Sequence, residues 1–206
     1  MRIVLASASP SRKAILLSAG VEPHIHPAHV DEEKLIAQLH KHNATPEHIV
    51  TELATAKAQS IAPQYPHDVI IGGDSMLLID GALQGKPHTI DNTIARWKAQ
   101  RSKTAQLITG HHIITPQGTH SEASCTTVHF ANPNDEDIEA YARSGEPLKC
   151  AGAFTLEALG GWFIDKIEGD PSSVIGLSLP VVRRALYHCG YNVSDFWSAA
   201  PPGSNL

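Results

Sequence analysis

A chain of 206 residues with 42% hydrophobic content can bury a core without disulfide or metal staples, so one domain over residues 1–200 with a loose tail at 201–206 is expected. Its net charge of −5 and pI near 6.2 exclude a general nucleic-acid binder, which needs a basic face, but not a small anionic ligand that a few local cations can hold. No apolar run approaches the ~20 residues of a membrane span, and three cysteines without CxxC spacing, behind no secretory-type apolar stretch, point to a reducing, cytoplasmic setting.

Residues 2–6 (RIVLA) read as a short buried strand. Ser9-Pro10 then supplies an N-cap followed by proline at the first helical position, so a helix runs to about Ala19 and Gly20 takes the left-handed position after it. A strand at 24–30 and helices at 32–41 and 46–61 follow, the last opened by Thr45-Pro46 in the same pattern. Residues 68–73 (DVIIGG) are an apolar, β-branched run ending in glycines, and the Asp80-Gly81 turn makes 76–79 a return strand, which predicts a hairpin. Beyond it come a helix at 91–101, strands at 105–115 and 122–130, and a helix at 135–144 stopped by Gly145. A strand at 163–167 and a helix at 180–189 stopped by Gly190 complete the order. Helices alternating with strands, several of them paired as hairpins, predict an α/β fold on a mixed sheet.

Three segments carry residue types suited to chemistry. In LASASPSRK (residues 5–13) a strand passes through serines into a helix whose unpaired N–H groups face the turn, an arrangement that holds anions. Ser7 and Ser9 supply hydroxyls and Arg12 a bidentate guanidinium; an ordinary N-cap beside a solvated arginine is the plainer alternative. In GGDS (residues 72–75) Asp74 follows an apolar strand, where a carboxylate holds a metal, orients water, or simply caps the strand end. Gly85-Lys86-Pro87 places a lysine in a rigid turn. Asp31 and Glu32 offer oxygen ligands suited to Mg²⁺, and Lys57, on the apolar stripe of Val50, Leu53 and Ala54, either snorkels or supplies a cation to a cleft.

The 13 histidines include close pairs but no HExxH, and His120-Ser121-Glu122 is followed by no PCxxC, so zinc chemistry is set aside and they read as scattered surface and strand residues. Cys189 shares a helical face with Val182 and Leu186 and is expected in the core, and packing is the default for Trp97, Trp162 and Trp197.

Set in order, LASASPSRK, IIGGDS, GALQGKP and SGEPLKCAGAF resemble the Maf family of nucleotide pyrophosphatases almost end to end. The likeness extends to LATAKA (53–58), Thr109-Gly110 and GLSLP (176–180). It implies an α/β fold like that of Maf and inosine triphosphatase proteins, a long mixed sheet with a nucleotide cleft between two lobes, in a family whose members are often dimers. It further implies hydrolysis of a nucleoside triphosphate to monophosphate and pyrophosphate, in the service of nucleotide-pool house-cleaning, with Asp74 as proton acceptor. Ser7, Ser9, Arg12, Lys57, Lys86 and Ser75 would then contact substrate, and Glu32 would join Asp74 at the metal. Three positions depart from the family pattern: Ser11 stands for an arginine, Cys150 for a lysine, and Glu157 for the glutamine of the branch preferring dTTP and UTP. The EPLKCAGAF segment is similar to the branch acting on 7-methylguanosine triphosphate, and GGWF, GDPS and GLSLP have actinobacterial spellings; Glu157 either faces the base of the substrate or is a solvated strand-end residue.

An aspartate of ordinary acidity is a weak base at neutral pH, so water acidified by Mg²⁺ or Mn²⁺ is the expected nucleophile, with Arg12, Lys57 and Lys86 stabilising phosphate charge. The rival expectation is a non-catalytic nucleotide-binding regulator of septum formation, and a histidine-rich metal carrier ranks behind both.

Overall fold

The computed structural model describes residues 1–198; the expected tail at 201–206 lies outside them. Strand β1 (Ile3–Leu5) leads into α1 (Pro10–Ser18), where extended Ser9 accepts the Arg12 N–H at 3.4 Å and Pro10 occupies the first turn. Gly20, at φ 80°, follows the helix as expected. Strand β2 (His24–Ile25) is much shorter than the expected 24–30. The His26 N–H still reaches Leu5 O at 3.1 Å, but Pro27 has no N–H with which to continue the ladder. Helices α2 (Glu32–Lys41) and α3 (Pro46–Ile61) fall on the expected residues, capped by the Asp31 and Thr45 side chains.

The hairpin expected within 68–79 is instead one continuous strand, β3 (Val69–Ile79), which turns only at Asp80 and Gly81 into β4 (Ala82–Gln84). After α4 (Ile90–Gln100) and β5 (Thr104–Thr115), strand β6 (Gly118–Phe130) starts at 118 rather than 122, directly after a tight turn in which Thr115 Oγ1 donates to Gly118 O. Helix α5 (Asp135–Arg143), β7 (Ile164–Glu168), α6 (Pro171–Ile175) and α7 (Leu179–His188) complete the order. Helix α6 opens with the cap-and-proline pair Asp170-Pro171, but it and the 3-10 turns between 146 and 163 are too short to show a period. The sheet runs β2-β1-β3-β5-β6-β7 with β4 on β3, and it is mixed, as the α/β pattern predicts.

The chain divides into two compact units. The first comprises Met1–Asp74, Thr109–Ser124 and the chain from Gly176 onward. There β1 lies parallel between β2 and β3, with Val4 opposite both His24 and Ile70. Val4, Ala6 and Ile70 pack against Ala58 and Ile61 of α3. Two glycines set how closely α3 approaches: a Cβ at Gly72 would stand 2.1 Å from Ala54 O, and one at Gly110 would stand 2.4 Å from Val50 O. Gly72 therefore serves the approach of α3, and neither it nor Gly73 is at positive φ, which is why the pair does not break β3.

The second unit, Ser75–Ile108 with Cys125–Ile175, is organised on Trp97 of α4. Its fully buried indole meets Phe130, Tyr141 and Phe163 edge-on with centroids 5.5 to 5.8 Å apart, and its N–H donates to Ala153 O at 2.7 Å. The packing expectation holds for Trp97 and Cys189 but not for Trp162 and Trp197, which are 83% and 59% exposed. No helix among the described residues is long and apolar enough to cross a membrane.

Candidate functional site

Arg12 sits one turn into α1, next to the end of β1, and is buried. Two acceptors fix its guanidinium: Nε donates to Gly176 O at 2.7 Å and Nη1 to Ser7 Oγ at 3.2 Å. Gly73 lies beside it, where a Cβ would meet Arg12 Nε at 3.4 Å, an ordinary van der Waals contact. Burial pushes the Arg12 pKa down, while the nearby carboxylates of Asp74 and Glu32 push it back up. A cation is thus held in place near two acids.

The serines are arranged around it. Ser7 Oγ also accepts the Ser9 N–H at 3.2 Å, so with two bonds accepted its own hydroxyl hydrogen is the group left to donate. Ser9 Oγ serves as the α1 cap and keeps a donor in the same way.

Lys57 projects from α3, 8% exposed, and is no snorkelling surface lysine. Its ammonium donates to Asp74 Oδ1 at 2.5 Å and lies 2.9 Å from Glu32 Oε1. Asp74 is itself buried, on β3 immediately after the two glycines, whereas Glu32 at the start of α2 remains partly open to solvent. Residues 32, 57 and 74, far apart in sequence, thus form one acid–cation–acid group, and Arg12 lies within electrostatic reach of both acids. Asp31, the other member of the expected acidic pair, is spent on capping α2 through Lys34 N at 3.0 Å.

Ser75, Lys86 and Glu157 belong to the second unit. Ser75 follows Asp74 along β3 and is half-buried, Lys86 is exposed in the turn between β4 and α4, and Glu157 is exposed in a loop. Glu157 folds back on its neighbour, accepting the Leu156 N–H at 3.1 Å. Cys150 records what surrounds it: burial first, then Glu157 and Glu146, push its thiol up to about 11, and Lys86 opposes them. Lys86 and Glu157 therefore both face the position where the family pattern has a lysine.

The glutamate of the SGE motif, Glu146, carries no sequence signal for a role. Glu146 accepts from the Tyr141 and Thr155 hydroxyls and from the Leu159 and Gly160 N–H groups, so it shapes the loop that carries Glu157. Burial works against its charge, but these bonds prevail and hold its carboxyl below the ordinary range. Among the described residues no group of three or more histidine, cysteine, aspartate or glutamate side chains is placed to hold a metal ion.

Comparison with known proteins adds to this geometry. A family model described as Maf-like protein matches residues 2–189. A "Nucleoside triphosphate pyrophosphatase" of Corynebacterium efficiens is 71% identical over 96% of this chain and 100% of its own length. Proteins of the same name from Corynebacterium diphtheriae and Rhodococcus opacus are 70% and 53% identical, over 96% and 97% of this chain and 99% and 98% of theirs. Among solved structures, that of the Staphylococcus aureus Ham1 protein aligns with a TM-score of 0.40 at 16% identity, covering 64% of this chain and 73% of that one. So weak a structural likeness carries no argument.

Proposed function

The chain belongs to the Maf family, and from that membership and the geometry of its first unit we propose that it is a nucleoside triphosphate pyrophosphatase. It cleaves between the α and β phosphates and releases nucleoside monophosphate and pyrophosphate, as house-cleaning of the nucleotide pool requires. The observation that carries this reading is the Glu32–Lys57–Asp74 group with Arg12 fixed in its field. Binding a triphosphate calls for cations; the acids beside them, Asp74 buried and Glu32 partly open, are what hydrolysis needs in addition.

Asp74 takes or steers the proton of the attacking water, and Lys57 holds the carboxylate in position at Oδ1. Arg12, with Ser7 and Ser9 as hydroxyl donors, binds phosphate oxygens and stabilises the charge that builds on the leaving pyrophosphate, and Lys86 is assigned to the same task. The donor set fits a divalent cation: Glu32 and Asp74 already converge on one positive charge, and Mg²⁺ or Mn²⁺ is commonly held by one or two carboxylates together with substrate phosphates. When bound, such a cation supplies Lewis acidity, neutralising phosphate charge and acidifying water.

One domain over residues 1–200 is supported by a family match that runs through both compact units. A homodimer is carried over from the family resemblance and is read directly by light scattering.

A panel of ordinary and modified nucleoside triphosphates, assayed for pyrophosphate release with Mg²⁺ and with Mn²⁺, tests the proposal. Pyrophosphate is expected from at least one nucleotide; binding without release across the panel would make the protein a nucleotide-binding regulator instead.

Arg12→Ala is expected to weaken triphosphate binding by about tenfold or more and monophosphate binding much less, because a fixed guanidinium loses most where several anionic oxygens converge. Calorimetric titration with both ligands checks this, and equal losses would place Arg12 away from the β and γ phosphates. Glu157 concerns the base. A carboxylate accepts hydrogen bonds and donates none, so it suits the N1–H and amine of guanine and opposes the oxygens of uracil. Glu157→Gln is expected to shift the ratio of kcat/KM toward UTP relative to 7-methylguanosine triphosphate by up to about tenfold; an unchanged ratio means that this position does not read the base.

A further inference from the structure

His111 is fully buried in β5, two residues from Thr109, and the mechanism above makes no use of it. Its ring is bound at both nitrogens. The Ser178 N–H donates to Nε2 at 2.8 Å, and Nδ1 stands 3.3 Å from Glu122 O of β6, a carbonyl that only accepts. Together these select the neutral ring with its proton on Nδ1. Ser178 in turn caps α7, accepting the Val181 N–H at 3.1 Å. Two residues before it stands Gly176, at φ 123°, whose carbonyl accepts from Arg12 Nε at 2.7 Å. The same helix is tied back to β6 by Arg184, whose guanidinium donates twice to the Glu122 carboxylate.

Building on the pyrophosphatase reading, we infer that His111 is a positioning residue for Arg12: by accepting the Ser178 N–H it sets segment 176–178, and the Gly176 carbonyl then aims the guanidinium at the phosphates. One hydrogen bond joins His111 to Ser178, the backbone carries the placement two residues back to Gly176, and a second hydrogen bond joins the Gly176 carbonyl to Arg12. A leucine at 111 would fill similar space but present no acceptor, leaving the buried Ser178 N–H unpaired and the segment free to shift. Glutamine, with a carbonyl oxygen at comparable reach, restores the acceptor.

The test is a double-mutant cycle read by calorimetric titration with inorganic pyrophosphate, a ligand that needs neither base recognition nor turnover. His111→Leu is expected to lower pyrophosphate affinity about fivefold to tenfold, His111→Gln to recover most of it, and His111→Leu in an Arg12→Ala background to cause no further loss. A merely structural histidine would lower thermal stability in both backgrounds and leave affinity per folded molecule unchanged, and that result overturns the proposal, as does an equal loss with and without Arg12. Should the leucine variant fail to fold, a ¹⁵N correlation spectrum of the native protein decides: His111 in the Nδ1–H form supports the inference, and the Nε2–H form, which cannot accept from Ser178, overturns it. If the native protein releases no pyrophosphate from any triphosphate, the activity reading fails, while the pyrophosphate-binding arms still decide the role of His111.

Discussion

Replacing Asp74 by asparagine is expected to give a folded protein that releases pyrophosphate at least about 100-fold more slowly, the usual loss when a group that takes part in proton transfer is removed. Asparagine has nearly the same shape and keeps an oxygen that accepts from Lys57 Nζ. The ammonium is not left without an opposing charge either, because Glu32 Oε1 stays 2.9 Å away. The loss should therefore fall on turnover, with cooperative unfolding and triphosphate binding retained. Steady-state kinetics and a binding titration on the same preparation separate the two quantities, and a near-native rate would remove Asp74 from the chemistry.

The largest loss of stability is expected at Gly72. A Cβ there would overlap Ala54 O at 2.1 Å and press on Ala58 at 3.0 Å. Both are atoms of α3 that no rotamer change can move. The helix must retreat from β3, and forcing volume into a packed contact of this kind costs about 3 kcal/mol, at the upper end of the usual range. For a chain of this length that corresponds to a melting temperature lower by roughly 6–12 °C. Because Lys57 rides on α3, turnover should fall as well. Gly73→Ala is the control: its Cβ would meet Arg12 Nε at an ordinary 3.4 Å, so stability should change little. Calorimetric melting of both variants checks the contrast, and a Gly72→Ala protein as stable as the native one would mean that α3 does not need the glycine.

Much of this was legible in the residues because local signals decide local structure. Helices α2 and α3 begin where Asp31 and Thr45 cap them, and α1, α5 and α7 are followed by glycines at φ near 80°. Strand β2 ends short of the expected 24–30 because Pro27 lacks an N–H, and β3 runs on where a glycine pair ordinarily signals a break. Here Gly72 answers to atoms of residues 54 and 58, which no local pattern reveals.

The site divides in the same way. Motif order brought forward Ser7, Ser9, Arg12, Glu32, Lys57 and Asp74, and the first unit holds all of them. That Lys57 joins the two acids, while Asp31 beside Glu32 only caps a helix, depends on how α2 and α3 pack. The Gly176 carbonyl lies 164 residues from Arg12, and His111 reads in sequence as an unremarkable strand residue. Contacts of that range leave no periodicity to read.

Phosphorus NMR of a nucleoside triphosphate incubated with the native protein and Mg²⁺, beside a parallel sample of Asp74→Asn, tests the central claim most directly. The native sample should show monophosphate and pyrophosphate growing in equal amounts, with the Asp74→Asn sample nearly static over the same time. Orthophosphate with nucleoside diphosphate, or equal rates in the two samples, would contradict the account.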